Sequence, residues 1–247
     1  IYSYSFAPRL FFKMIFYLFD VFCHNGVILA SQSLYKYTNI KKKFIYYGVS
    51  NLHSSSIKKF NKLNVLFSGT LNDQTGLNLF LEALNIMRNS CKNTYQNLSF
   101  SVAGFCSDPT KLIKFCSVEQ HPKVNYYGQL SVDHYKQLLS DCNVGLSLKL
   151  IGGEQDESTF PSKLIEYSSS GLLCITTNIS DVSSFFKDSV FYVNSNSPKE
   201  LVDIFDSLLT TIDDSLNSFI SLSHSRLNLF TNPSHIIPPI RSFLFTG

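Results

Sequence analysis

From Asn64 to about Leu209, short apolar runs rich in β-formers alternate with amphipathic stretches. The runs at 65–68, 98–103, 124–127, 144–148, 173–177 and 190–193 read as strands. The stretches at 77–89, 109–118, 132–140, 161–169 and 198–209 read as helices, with a short turn at 182–186. Strands separated one by one by helices predict an α/β protein with a parallel, doubly wound sheet. Local signals place the ends. Ser197-Pro198-Lys199-Glu200 reads as a capping box with proline in the first turn. Gly171 follows the 161–169 helix, where a left-handed residue costs least as glycine. Ser131 is placed to cap the helix at 132–140.

The chain before Asn64 has a different pattern. A strongly apolar helix at 6–22 leads to a strand at 27–30, a short helix, and a strand at 43–47 that runs into Gly48-Val49-Ser50. Residues 51–61 are polar and serine-rich and read as a linker. After 209 come a helix at 213–230 and a tail interrupted by Pro233, Pro238 and Pro239, long enough to pack back on the first unit. This divides the chain into 1–50, a linker at 51–61, a sheet domain at 62–210 and C-terminal helices at 211–247. The chain opens at Ile1 in mid-pattern, which reads as a fragment of a longer protein.

Composition narrows the function classes. The 247 residues are 44% hydrophobic with a net charge of +3, enough for real cores and too little charge to point to nucleic acid. The run Lys41-Lys42-Lys43 reads as a solvated turn, with contact to anionic lipid as the rarer alternative. Six cysteines include no C-x-x-C pair, and several sit in apolar runs, which predicts buried, reduced thiols in a cytoplasmic protein. The 6–22 segment carries Arg9, Lys13 and Asp20, whereas a membrane span needs roughly 20 mostly uncharged apolar residues. It reads as a buried or partly membrane-facing helix, which leaves peripheral attachment at the inner face of a membrane open.

Two regions carry candidate chemistry, and both follow strands, where doubly wound folds bind ligands. In the first, Ser68-Gly69-Thr70-Leu71-Asn72-Asp73-Gln74-Thr75-Gly76 runs from a strand into a helix. Gly69 allows close approach of backbone to a ligand, and Gly76 allows an unusual backbone angle before the helix. The second is Ser158-Thr159-Phe160-Pro161-Ser162-Lys163-Leu164-Ile165-Glu166-Tyr167. If Pro161 begins a helix, the amides of Ser162 and Lys163 are free to hold an anion. Glu166 lies one turn on from Ser162. One helix then offers a tip to a diphosphate and a carboxylate to a ribose diol. Each region also has a plain structural reading, as a glycine turn and as an amphipathic helix with an exposed glutamate.

Together these stretches resemble a known family. Phe160 to Tyr167, then Ser170-Gly171 and the 173–177 strand, closely resemble the donor-site signature of retaining GT-B glycosyltransferases of family-4 type, the glycosyl transferases group 1. Gly69 to Ala83 resembles the opening of the same domain, Asn125-Tyr126-Tyr127-Gly128-Gln129-Leu130 the loop near the base, and Asp141 to Leu146 the next strand. Residues 26–31 and 46–50 resemble the last strands of the acceptor domain. The resemblance covers roughly residues 20–210.

It implies a GT-B fold whose first Rossmann-like domain is truncated here. It implies transfer of a hexosyl group, with retention, from a UDP- or GDP-sugar to a glycan or lipid-linked acceptor, as in surface polysaccharide synthesis. The implied donor-binding residues are Gly69, Thr70, Thr75, Gly128, Leu130, Ser158, Thr159, Phe160, Pro161, Ser162, Lys163 and Glu166. Among these, Glu166 takes the ribose, Ser162 and the Lys163 backbone take the diphosphate, and Thr159 and Phe160 present backbone to the sugar. No cofactor is implied, and no metal is needed where amides and cations hold the phosphates; no D-x-D pattern is present. The histidines show no metal-ligand spacing, and the sugar-contacting histidine of the family belongs to the missing acceptor stretch, so no catalytic residue is assigned.

The departures from the family pattern are specific. The first glutamate of the paired motif is replaced by Ser158, and the usual arginine and lysine of the first region by Thr70 and Thr75. These gaps keep two alternatives in view: a non-catalytic nucleotide-sugar-binding or assembly protein, and a sugar-nucleotide epimerase. The fragment alone is expected to transfer poorly or not at all.

Overall fold

The structure, a computed structural model, describes Met14 and residues 26–48, 58–90, 92–153, 156, 159–211 and 213–245. Apart from Met14, the expected 6–22 helix lies outside the described residues, as do most of the 51–61 linker and Ser158.

The central feature is a six-stranded sheet in the order β5-β4-β3-β6-β7-β8, parallel throughout. Its strands are β3 (Leu63–Thr70), β4 (Leu98–Phe105), β5 (Lys123–Tyr126), β6 (Val144–Ser147), β7 (Leu173–Thr177) and β8 (Phe191–Val193). Two further short parallel strands, β1 (Val27–Leu29) and β2 (Lys43–Ile45), pair with each other and flank a 3-10 helix at Gln32–Tyr37. The helices are α1 (Leu77–Ser90), α2 (Thr110–Cys116), α3 (Val132–Asp141), α4 (Ser162–Ser169), α5 (Val182–Phe186), α6 (Pro198–Leu208), α7 (Asp213–Thr231) and α8 (Pro233–Phe245). All six expected sheet strands are present, with ends that differ by at most two residues.

Burial on both faces explains why β3 reads as an unbroken apolar run. Val65 and Phe67 point into a core with α1 and α6, whereas Leu66 points to the opposite core with α4 and α5. The first core holds a chain of aromatic rings, Phe67–Phe80–Phe100–Phe205, with centroids 5.1, 5.1 and 5.3 Å apart. Helix α7 joins the two layers: Leu216 and Ile220 belong to the first core and Leu227 to the second.

The helix ends partly follow their sequence signals. The Ser131 side chain accepts the His134 amide, as a cap should. Gly171, at φ 74°, closes α4 with Leu172 N–H donating to Tyr167 O (3.0 Å) and Gly171 N–H to Ser168 O (3.1 Å), a Schellman motif. The capping box at Ser197 does not form. Ser197 makes no side-chain cap bond; the Glu200 carboxylate instead accepts from the Asn194 and Ser195 amides (2.8 and 3.0 Å). Those amides lie further back along the turn, and Pro198 still opens the helix. The tail is also more regular than its prolines imply. Helix α8 runs through Pro238 and Pro239 although both lack the amide hydrogen. Tertiary contacts override the local preference: Ile236 is buried, and Phe243 packs on Phe44 with centroids 5.6 Å apart.

The β1–β2 unit is joined to the sheet domain by a buried carboxylate. Asp181, just before α5, accepts hydrogen bonds from the Gln32 amide, from the Ser33 amide and hydroxyl (3.3 and 3.1 Å) and from the Tyr47 hydroxyl (2.9 Å). Ser31, the residue before the 3-10 helix, makes no side-chain cap, so Asp181 caps that helix from across the chain. Burial and the Asp181 carboxylate together push the Tyr47 phenol far above its usual range, so it stays a donor.

Two outcomes follow. A methyl group at Gly145 in β6 would lie 2.5 Å from the Tyr167 side chain, so Gly145→Ala should cost about 1–3 kcal/mol of stability, read from a shifted urea midpoint. Asp181→Ala strips the cap from Gln32–Tyr37. It should open residues 26–48 to limited proteolysis while the sheet domain keeps most of its stability. An unaltered cleavage pattern would show that the aromatic contacts alone hold the unit.

Candidate functional site

The strand order reverses between β3 and β6, the switch point where doubly wound sheets leave a crevice at the carboxyl ends of their strands. Helix α1 leaves β3 and helix α4 follows β6, so both candidate motifs converge there. The floor of the crevice is bare of side chains. Gly69, at φ 127°, stands opposite Gly104 in the β3–β4 register, and the Gly104 amide donates to Gly128 O (2.7 Å). Three adjacent strand ends thus present glycine, and a Cβ on Gly104 would collide with the Gly69 carbonyl. Leu130, half-buried, follows Gly128 just before the Ser131 cap.

Helix α4 forms the wall. Pro161 occupies the cap position with an extended backbone (φ −73°, ψ 99°), and the helix begins at Ser162, one residue later than the sequence reading. The amides of Ser162 and Lys163 lie in the first turn, where no intrahelical acceptor exists, and Ser162 is exposed. The helix is turned about its axis by Tyr167. This tyrosine is fully buried, its ring lies on Gly145, and its hydroxyl accepts the Ser68 amide (3.0 Å).

The polar network that follows has one consistent set of hydroxyl protons. Tyr135 Oη donates to Glu166 Oε2 (3.0 Å), because a carboxylate oxygen only accepts. Tyr135 Oη must then accept from Ser68 Oγ (2.9 Å), and Ser68 Oγ in turn from Tyr167 Oη (2.9 Å). Burial raises the pKa of both tyrosines, so both remain neutral phenols. Lys163 Nζ completes the group. It donates to Glu166 Oε2 (2.6 Å) and Tyr135 Oη (3.1 Å) and sits 4.6 Å above the Tyr135 ring. Burial pulls the Lys163 pKa down, but the Glu166 carboxylate and Tyr135 outweigh it and the net shift is upward. The lysine stem passes over Gly69, 3.7 Å from where a Cβ would stand.

The other expected residues are placed as follows. Thr75 uses its hydroxyl within the loop, accepting from the Asn72 amide (2.9 Å) and donating to Thr70 O (2.6 Å). Phe160 turns its ring into an aromatic cluster with Tyr47 and Phe185 (4.6 and 5.1 Å). Thr159 accepts from Lys149 Nζ (2.5 Å).

Sequence reasoning missed three members of the site. Lys149 lies two residues beyond β6 and contacts the loop that leads into α4; burial lowers its pKa. Its position at a strand end beside the switch point was the available signal. Tyr135 and Ser68 were also missed, because a bond between α3, β3 and α4 has no signature in local spacing. A separate apolar cavity of about 410 Å³, lined by residues including Phe44, Tyr47, Phe185 and Phe230, includes no residue from the strand ends of the six-stranded sheet.

A six-stranded parallel sheet in this order, with its crevice at the switch point, defines the Rossmann-like class of α/β domains. The model of glycosyl transferases group 1 matches residues 50–220, more than half of the chain, and the chain belongs to that family. Among solved structures, HepE of Anabaena in complex with UDP-glucose is similar in fold. Its TM-score is 0.72 at 14% identity, over 97% of this chain and 70% of that one. A glycosyltransferase from Rickettsia africae gives 0.68 at 15% identity, over 100% and 69%. TarM, a protein of S. aureus, gives 0.69 at 14%, over 89% and 43%. The fold is therefore that of GT-B glycosyltransferases, and the chain spans 43% of the TarM chain and 70% of the HepE chain. No curated protein matches the sequence.

Tyr167→Phe tests the anchor of the site. It leaves the buried Ser68 amide without its acceptor and should cost about 1–3 kcal/mol in denaturant unfolding. A cost near zero would mean that α4 is held by packing alone.

Proposed function

We propose that this chain is the nucleotide-sugar-binding part of a GT-B glycosyltransferase that moves a hexosyl group from a UDP- or GDP-sugar to a glycan or lipid-linked acceptor. The observation that carries the reading is the orientation of α4. Its first amides and its Glu166 carboxylate meet at the switch point, above a floor of glycines. A diphosphate fits a helix N-terminus, where unpaired amides and the helix dipole favour an anion. A carboxylate one turn along suits a ribose diol, since it accepts two hydroxyl bonds. HepE, similar in fold, is described in complex with UDP-glucose, which supports a uridine donor as the first to test.

In this reading Glu166 holds the ribose. Ser162 and the Lys163 amide hold the diphosphate, while Gly69, Thr70 and Thr75 border the phosphate and sugar. Gly128 and Leu130 lie toward the base, Thr159 and Phe160 present backbone to the transferred sugar, and Ser158 and Pro161 belong to the same donor-binding stretch. In the transfer step the bond from the anomeric carbon to the diphosphate oxygen breaks. The acceptor oxygen forms the new bond from the same face as its proton passes to the leaving diphosphate oxygen, so configuration is retained. Charge developing on the leaving diphosphate is stabilised by preorganised amides at the α4 tip. Residues 1–50 form the end of the acceptor-binding domain, 51–61 the linker, 62–210 the donor domain, and 211–247 helices that return to the first unit. A role in surface polysaccharide synthesis, at the inner face of a membrane, fits the family and the apolar 6–22 segment.

A second reading, binding without transfer, is favoured by the Thr70–Thr75 loop, which holds no cation and whose Thr75 hydroxyl is occupied internally. Turnover by the complete protein would reject it.

Titration calorimetry with UDP and GDP tests the donor site. Glu166→Ala should weaken whichever diphosphate binds by roughly 10- to 100-fold, the worth of about 1.5–3 kcal/mol for hydrogen bonds to a charged group. Unchanged affinity would remove Glu166 from the site.

A further inference from the structure

The proposed ribose ligand is already occupied by a neighbouring residue. Glu166 Oε2 accepts from both Lys163 Nζ (2.6 Å) and Tyr135 Oη (3.0 Å). The Lys163 and Glu166 side chains are 35% and 37% exposed, so an incoming ligand reaches both. The stem of Lys163 crosses Gly69, which borders the same crevice as the α4 tip. The ammonium is therefore held between a carboxylate and the side-chain-free strand end, over the face of a neutral phenol.

We propose that Lys163 determines specificity by its side chain: paired with Glu166 while the site is empty, it transfers to the diphosphate when a nucleoside diphosphate binds, so that the site selects diphosphates against nucleosides. The inference rests on the donor-site reading above and adds a linkage between its two halves. A nucleoside alone must take Glu166 from Lys163 and offers that cation nothing in return. A nucleoside diphosphate takes the carboxylate with its ribose and supplies the ammonium with a phosphate oxygen. The ion pair is exchanged rather than lost, and Lys163 supplies the diphosphate with the cation that the Thr70–Thr75 loop does not provide. By this arithmetic a ligand gains selectivity only through the difference in its contacts with the paired and unpaired states. Tyr135 keeps both groups in place, since its hydroxyl touches each of them and its ring lies under the ammonium.

The test uses Lys163→Met, which retains an apolar stem and removes the charge, and compares UDP with uridine and GDP with guanosine by calorimetry on the 247-residue chain. The expected result is opposed changes. Diphosphate affinity falls about 10-fold, while affinity for the matching nucleoside holds or rises about two- to threefold, because Glu166 has lost its competitor. Equal losses for both ligands would mean that Lys163 only supports the fold and would overturn the proposal. No change for either ligand would overturn it as well. Glu166→Ala, measured alongside, separates the two levels. If it weakens both ligands while Lys163→Met weakens neither, the donor site stands and the exchange falls. If neither variant alters binding, or neither diphosphate binds the parent chain, the donor-site reading itself falls. Circular dichroism and the unfolding midpoint of each variant establish that it is folded before binding is compared.

Discussion

The site depends on the contact between Tyr167 and β6. Gly145 has no side chain, so the Tyr167 ring lies directly on the strand, and a single Cβ there would occupy the same space. That approach lets the Tyr167 hydroxyl reach the Ser68 amide and hydroxyl at the end of β3. Helix α4 is thereby fixed in both height and rotation. With Tyr167 facing the sheet, Lys163 and Glu166, neighbours three positions apart on the helix surface, meet at the crevice edge beside it. A substitution that fills the space at Gly145 would therefore disturb charges that it never touches.

Polar groups near the sheet are paired in a consistent order. The two phenols, the Ser68 hydroxyl and the Glu166 carboxylate form a single chain of donors and acceptors that ends on the one group unable to donate. Burial makes each link stronger and makes each unpaired member costly. The rigid side of the site is thus a hydrogen-bonded relay, while the exposed side holds an ion pair open to exchange. Away from the site, Cys142 and Cys174 are buried, and their thiols are pushed up to about 11 and about 12, which keeps them protonated and unreactive.

Much of the fold was legible because periodicity reports burial. The β3 run is apolar at successive positions since both its faces are covered, and α7 shows buried Leu216, Ile220 and Leu227 at helical spacing. The α4 motif was legible because proline, glycine and glutamate mark the start, the end and the crevice-side carboxylate of one short helix. Elsewhere the sequence misled or said nothing. Glu200 prefers the amides at Asn194 and Ser195 to the reciprocal box expected with Ser197, a choice set by loop shape. Pro238 and Pro239 argue against a helix locally, yet Phe243 and Ile236 are held by the rest of the protein and carry it through. Ser68 and Tyr135 join the site only through contacts between elements distant in sequence, whereas Lys149 was signalled by nothing more than its place just past a strand end.

The carboxylate of Asp181 belongs to the sheet domain, but the helix it terminates belongs to the smaller unit. One side chain thus acts as a clasp between two bodies, and its grip is directional, since it must point along the axis of the helix that it closes. Any swing of one body against the other either carries Asp181 along or leaves a helix end bare in a buried place.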